Sequence, residues 1–232
     1  MTEINVVAQG GFRAAYEALV PDFERASGHT VVAAWGGATG DAPNSIPSRL
    51  ARGEAIDVVI VAATGLDALI RDGRILADSR VEVARSYVGV AVRAGAPRPD
   101  ISTAAAVQRA LIEAKSIAFS NGASGTYLVG LFDRMGIGDA MRAKRVDTLP
   151  GSSGAVVARG DAELAFQQVA ELLPVPGIDF IGRLPDELQE VILYAAGIPA
   201  AARNLEAARA LIAYLTAFTA ATAYARWGME GA

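Results

Sequence analysis

The stretch INVVAQGGFRAAYEALVPDF, residues 4–23, decides the fold class. Ile4 to Ala8 is a short apolar run, Gln9-Gly10-Gly11 interrupts it, and Phe12, Ala15, Tyr16, Leu19 and Phe23 then recur at helical spacing. An apolar run of this length suits a buried strand, whereas recurrence every three or four residues lays a stripe along one face of a helix. The segment reads as strand, turn and amphipathic helix. Outward from it, the helix stops at Ser27-Gly28, and the β-branched, apolar run from Thr30 to Trp35 makes a second strand broken by Gly36-Gly37. Ile46-Pro47-Ser48-Arg49-Leu50 suits a helix start with proline in the first turn. Asp57-Val58-Val59-Ile60-Val61-Ala62 is continuously apolar after its first residue, as buried parallel strands are, and Leu66 to Arg71 is a short helix closed by Gly73. Strands alternating with helices imply βαβ units, and so an α/β fold with mostly parallel sheets and helices on both faces.

At Val83 the pattern changes to a longer alternating strand, Tyr87-Val88-Gly89-Val90-Ala91-Val92, followed by a Gly-Ala-Pro-Arg-Pro punctuation. A second βαβ series follows. It predicts a helix over Ala104 to Ala114, a strand over Ser116 to Phe119, and a helix over Thr126 to Met135. Further strands are expected at Val146 to Leu149, Leu164 to Phe166 and Asp179 to Ile181. Val191 to Ala196 returns toward the first series, and Leu205 to Trp227 is two Ala-rich helices whose stripe of Leu205, Ala208, Leu211, Ile212 and Leu215 is expected to pack on the first lobe. The two pattern changes place one lobe at residues 1–82 plus 195–232 and a second at 83–194.

Composition narrows the function. In 232 residues, 21 Lys+Arg stand against 25 Asp+Glu, with no basic run to neutralise a phosphate backbone, so no nucleic-acid partner is expected. With no cysteine there is no thiolate chemistry, and with His29 as the one histidine no multi-histidine metal site, so neither metal nor cofactor is expected. His29 falls between the first helix and the second strand and reads as a surface or capping residue. Apolar stretches break before the roughly 20 residues that a bilayer span needs, and Met1 to Val7 carries no basic n-region. The expectation is a soluble cytoplasmic protein without membrane insertion, or a periplasmic one where a leader has been removed.

Four glycine- or serine-rich turns each follow a strand: Gln9-Gly10-Gly11, Gly36-Gly37-Ala38-Thr39-Gly40, Asn121-Gly122-Ala123-Ser124-Gly125-Thr126 and Gly151-Ser152-Ser153-Gly154. In open α/β sheets ligands bind outside the carboxyl ends of strands, where main-chain N–H groups at helix starts meet anions. Recurrence at corresponding places points to an oxyanion or carboxylate. The nucleotide alternatives fail: the second turn lacks the dinucleotide fingerprint, and no Gly-Lys-Ser or Gly-Lys-Thr exists. Ser124 and Ser153 are not flanked as nucleophile elbows. Asp41 and Glu171 are carboxylates near the turns, and Asp57, at the far end of its strand, reads as structural.

These residues resemble the molybdate-type, type II periplasmic substrate-binding proteins over nearly the whole chain. The likeness is carried by Gly10-Gly11-Phe12, Ser27-Gly28-His29-Thr30-Val31, Gly36-Gly37, Ile46-Pro47-Ser48-Arg49-Leu50-Ala51-Arg52-Gly53-Glu54, Asp57-Val58-Val59-Ile60, Ala123-Ser124-Gly125-Thr126-Tyr127 and Phe166-Gln167-Gln168. The resemblance implies two lobes around a ligand cleft. Its ligand-binding positions fall at Gln9, Gly10, Gly11, Gly37, Ala38, Thr39, Ser124, Gly125, Thr126, Gly154 and Gln167. Molybdate binders usually carry a serine in each of the first two loops, where this chain has Gly10 and Gly37, and a tyrosine is common near Gln167. A small carboxylate is therefore the expected anion. A similar branch of the fold, the aconitate isomerases, implies a group that moves a proton at an activated carbon, for which Ser124, Tyr127 and Glu171 are the candidates. Two functions are carried forward: an intracellular isomerase of a small unsaturated polycarboxylate, and a receptor that delivers an anion to an ABC permease.

Overall fold

A computed structural model describes residues 1–120, 123–149 and 152–232. The chain runs β1 (Glu3–Ala8), α1 (Arg13–Ser27), β2 (Thr30–Trp35), α2 (Ile46–Ala51), β3 (Val58–Ala62), α3 (Ala63–Arg71) and the long β4 (Val81–Arg93). Next come α4 (Ala104–Glu113), β5 (Ile117–Ser120), α5 (Ala123–Arg134), α6 (Gly138–Lys144), β6 (Arg145–Thr148), α7 (Ser153–Arg159), β7 (Leu164–Gln168), α8 (Val169–Leu172) and β8 (Ile178–Arg183). The last elements are β9 (Val191–Gly197), α9 (Leu205–Leu215), α10 (Ala221–Arg226) and β10 (Glu230–Gly231). The α/β class read from the sequence is the observed one.

The chain forms two compact units, Met1–Ser86 with Ile192–Ala232, and Tyr87–Val191. The sequence pattern puts the boundaries after residues 82 and 194 instead. Both divisions fall inside continuous strands, β4 and β9, where periodicity offers no break to mark them.

In the first unit β1 lies between β2 and β3, parallel to both, and β9 runs antiparallel to β3. Val7, Val59, Val61, Leu66, Leu69 and Ala195 fill one core cluster. Phe12 gathers Tyr16, Tyr194 and Tyr224 with ring centroids 5.5 to 6.4 Å apart, which fixes α1 and α10 to the sheet. Ala208, Leu211, Ile212 and Leu215 of α9 are buried as the stripe requires, but Leu205 is exposed because it is the first residue of the helix, beyond the packed turn. His29 stacks its ring on Phe23, and its N–H is bonded to Ser27 Oγ at the helix-to-strand turn.

Asp57 is buried at the start of β3. Its carboxylate accepts the Asn5 N–H at 2.9 Å, the Asn204 N–H at 3.1 Å and the Asn204 side-chain amide at 3.3 Å. One side chain thus ties β1, β3 and the start of α9. Asp57→Ala should lower unfolding free energy by about 3 kcal/mol, because buried donors lose a charged acceptor. Urea denaturation of the variant checks it, and a loss below about 1 kcal/mol contradicts the role.

In the second unit β5 lies between β6 and β7, parallel to both, while β4 pairs antiparallel with β7 and with β8. Val88, Val90, Leu111, Phe119, Phe132 and Phe166 lie at the centre of its core. Here α5 starts three residues before the predicted Thr126, so Ser124, Gly125 and Thr126 sit in its first turn and not in the preceding loop. The early start depends on Gly125, which lets the turn lie directly on the Ser120 carbonyl.

Candidate functional site

All four turns follow strands, as the sequence indicates, and each unit is described by itself. Asn121, Gly122 and Gly151 lie outside the described residues.

In the first unit Gln9 ends β1. Its main-chain N–H donates to the Ile60 carbonyl at 2.9 Å, and its side-chain oxygen accepts the Ala62 N–H at 3.1 Å. The carboxamide is thus turned so that its NH2 remains to donate. Gly10 and Gly11 form a single 3₁₀ turn with Phe12, leading into α1. The second turn is closed at its base by Gly36 N–H to the Ala8 carbonyl and Ile46 N–H to the Gly37 carbonyl. Ser45 caps α2 by accepting the Ser48 N–H, and it donates to the Gly40 carbonyl. Gly37, Thr39 and Asp41 are exposed and Ala38 is half-buried. A hollow of about 420 Å³, lined by Ala38, Thr39, Pro47, Ser48, Gly65 and Arg74 among others, lies between this turn and helices α2 and α3. Arg74 at that hollow is a cation that sequence reasoning did not single out; its place after the Gly73 helix stop gave no signal.

In the second unit Ser124 and Gly125 are buried and Thr126 is exposed. The Tyr127 hydroxyl donates to the Leu188 carbonyl at 3.0 Å, and its ring packs against the core beneath the Arg134 guanidinium. Its proton is engaged in holding structure. Gly154 faces Val175, Ile178 and Leu172, so its Cα lies against apolar side chains. Gln167 is 1% exposed, and its carboxamide oxygen accepts the Ser153 N–H at 3.1 Å. Ser153 is itself fully buried, with its hydroxyl 3.5 Å from that of Thr148. A polar knot of Thr148, Ser153 and Gln167 therefore forms at the carboxyl ends of β6 and β7. The sequence names Gln167 and the Ser153 turn separately; Thr148, an ordinary strand-end threonine, gave no signal.

Glu171 follows on α8. Although the residue keeps some exposure, the protein around its carboxyl desolvates it and pushes its pKa above the ordinary value of 4.5, with the Gln167 amide working in the opposite direction. Among the proton-carrier candidates, Glu171 is a carboxyl whose desolvated setting raises its pKa, which suits the task.

Among the described residues, no group of three or more His, Cys, Asp or Glu side chains is placed to hold a metal ion, and no helix is long and apolar enough to cross a membrane.

Known proteins of this kind share both sequence and architecture with the chain. It is 41% identical over 231 residues to an aconitate isomerase from Pseudomonas sp, spanning 99% of this chain and 88% of that protein. Its fold matches the periplasmic molybdate-binding protein of Azotobacter vinelandii with a TM-score of 0.79 at 21% identity, covering 97% of this chain and 98% of that one. The tungstate-binding protein TupA of Desulfovibrio alaskensis matches with a TM-score of 0.70 at 13% identity, over 100% and 99% of the two chains. The sequence model of one family, described as bacterial extracellular solute-binding protein, matches residues 4–230. With all but a few terminal residues inside that match, the chain belongs to the bacterial extracellular solute-binding protein family.

Proposed function

We propose that the protein is an isomerase of a small unsaturated polycarboxylate, acting on aconitate or a close relative. The observation that carries this reading is the 41% identity to an aconitate isomerase, sustained over 99% of the chain. Glu171 supports it from the structure, as a carboxyl whose pKa burial raises, which makes it a better proton acceptor than an exposed carboxylate. The donors read from the sequence, Gln9, Gly10, Gly11, Gly37, Ala38 and Thr39 in one unit and Ser124, Gly125, Thr126, Gly154 and Gln167 in the other, are proposed as carboxylate grips. An amide NH2 and main-chain N–H groups suit carboxylate oxygens, which accept only.

The chemistry balances with a single proton carrier. A base takes a proton from the methylene carbon beside the double bond, the C–H pair spreads over three carbons under the pull of the carboxylates, and the double bond loses its rigidity. The proton is then returned at the opposite carbon, and the double bond re-forms with the other geometry. Glu171 is proposed for both transfers, as carboxylate first and carboxylic acid second.

A proton NMR time course of cis- and trans-aconitate with the purified protein in deuterium oxide tests the reading. Isomer interconversion or deuterium uptake is the expected result. Tight binding of these acids without either change would sink it, and would favour the second reading, a receptor for an ABC permease. That reading draws on the family, which is named for extracellular solute binding. A receptor must work outside the cytoplasmic membrane, whereas the isomerase reading is compatible with the cytoplasm.

A further inference from the structure

Gln167 is the second-to-last residue of β7 and is almost wholly buried. Its carboxamide oxygen accepts the Ser153 main-chain N–H. A main-chain N–H only donates, so this bond fixes which end of the amide is oxygen and which is nitrogen. The NH2 must then face away from Ser153. That nitrogen is buried and completes no hydrogen bond among the described residues. A buried donor without an acceptor is costly and uncommon, and calls for a partner. Four residues along the chain, in the short helix α8 that leaves the same strand, stands the Glu171 carboxyl, close enough for the amide to favour its ionised form.

We propose that Gln167 is a positioning residue for Glu171: with its oxygen tied to Ser153, the amide presents its NH2 to the Glu171 carboxyl and holds it in one orientation for proton transfer. This rests on the isomerase reading above. Against α8 pack β7, which has no ionisable side chain, α7, whose charged residue is Arg159 at its far end, paired with Asp161 at 3.0 Å, and parts of β4 and β8, which carry Glu82, Arg85 and Arg93 and Asp179 and Arg183. Gln167 is a polar side chain that acts on the Glu171 carboxyl from within this unit.

The test uses the whole protein labelled with ¹⁵N and with ¹³C at glutamate Cδ, Glu171 being assigned by comparison with Glu171→Gln. In the unmodified chain the Gln167 side-chain amide signals should move with the same midpoint as Glu171 Cδ. Gln167→Met keeps length and bulk but removes the donor that favours the carboxylate, so the Glu171 midpoint should rise, by about one pH unit. The acid limb of kcat for trans-aconitate should rise with it. A purely structural Gln167 would lower kcat without moving either midpoint. An unmoved Glu171 midpoint in Gln167→Met, or amide signals indifferent to Glu171, overturns the proposal; where the variant does not fold, the amide signals of the unmodified chain decide. A chain that titrates in this way but never isomerises defeats the isomerase reading and leaves the coupling of Gln167 to Glu171 intact.

Discussion

Glu171→Gln lowers the rate of aconitate isomerisation by about 10²- to 10⁴-fold while trans-aconitate still binds. The glutamine keeps the size of the side chain but neither accepts nor releases the proton, so a loss confined to kcat identifies the group that moves it. A second effect accompanies the first and has the opposite sense. Burial raises the folded-state pKa of Glu171 above its ordinary 4.5, so between the unfolded and folded values the native chain holds more protons than the unfolded one. Stability then declines as pH rises through that window, because ionising the group costs more in the folded protein. Removing the titration should flatten this decline, and the variant should melt higher than the unmodified chain above the window. A gain in stability paired with lost activity is the pattern of a group kept for chemistry and not for folding. Thermal melts from pH 5 to pH 8 together with the NMR time course check both parts. Turnover within threefold of the unmodified chain would remove Glu171 from the reaction.

Much of the fold is legible because its signals are local. The apolar run of Ile4 to Ala8, the stripe from Phe12 to Phe23 and the unbroken Val58 to Ala62 each specify an element through their own period, and β1, α1 and β3 follow them. Legibility fades where packing overrides period. Nothing periodic marks α6 or α8, which are too short to show a stripe and follow from how the chain turns out of its neighbours. At the candidate site, residue types are readable but their states are not. Tyr127 reads as a proton carrier until its hydroxyl is seen on the Leu188 carbonyl. Gln167 and Ser153 are 14 residues apart and belong to different elements, so the bond that orients the amide exists only once β6, α7 and β7 are assembled. The acidity of Glu171 is likewise a property of what surrounds it. Glycine is the instructive case. Read as openings for an anion, the glycines at 36 and 125 are required by the backbone itself: a Cβ on Gly36 would overlap the Asn44 carbonyl, and one on Gly125 the carbonyl of Ser120.

Gly125→Ala is accordingly expected to be the most damaging single methyl addition in the second unit. Inside a helix the exchange ordinarily stabilises by about 1 kcal/mol, since alanine has less backbone freedom to lose. Here the sign reverses. The added carbon would collide with the Ser120 main-chain oxygen at the end of β5 and press on the Phe119 ring at 3.4 Å, and neither a strand carbonyl nor a buried ring can swing aside. Relief requires the start of α5 to lift from β5, at a cost of about 3 kcal/mol, the upper end of overpacking penalties. Because Ser124 and Thr126 ride on that same first turn, the shift would also displace two of the proposed carboxylate donors, so affinity for trans-aconitate should fall along with stability. Gly37→Ala supplies the contrast: its nearest neighbour is the Thr39 carbonyl at 3.5 Å, an ordinary contact, and its stability change should stay within about 0.5 kcal/mol. Urea midpoints for the two variants separate the cases. An alanine at 125 that leaves the midpoint unchanged would mean that α5 is not held against Ser120, and that the geometry given to this turn is wrong.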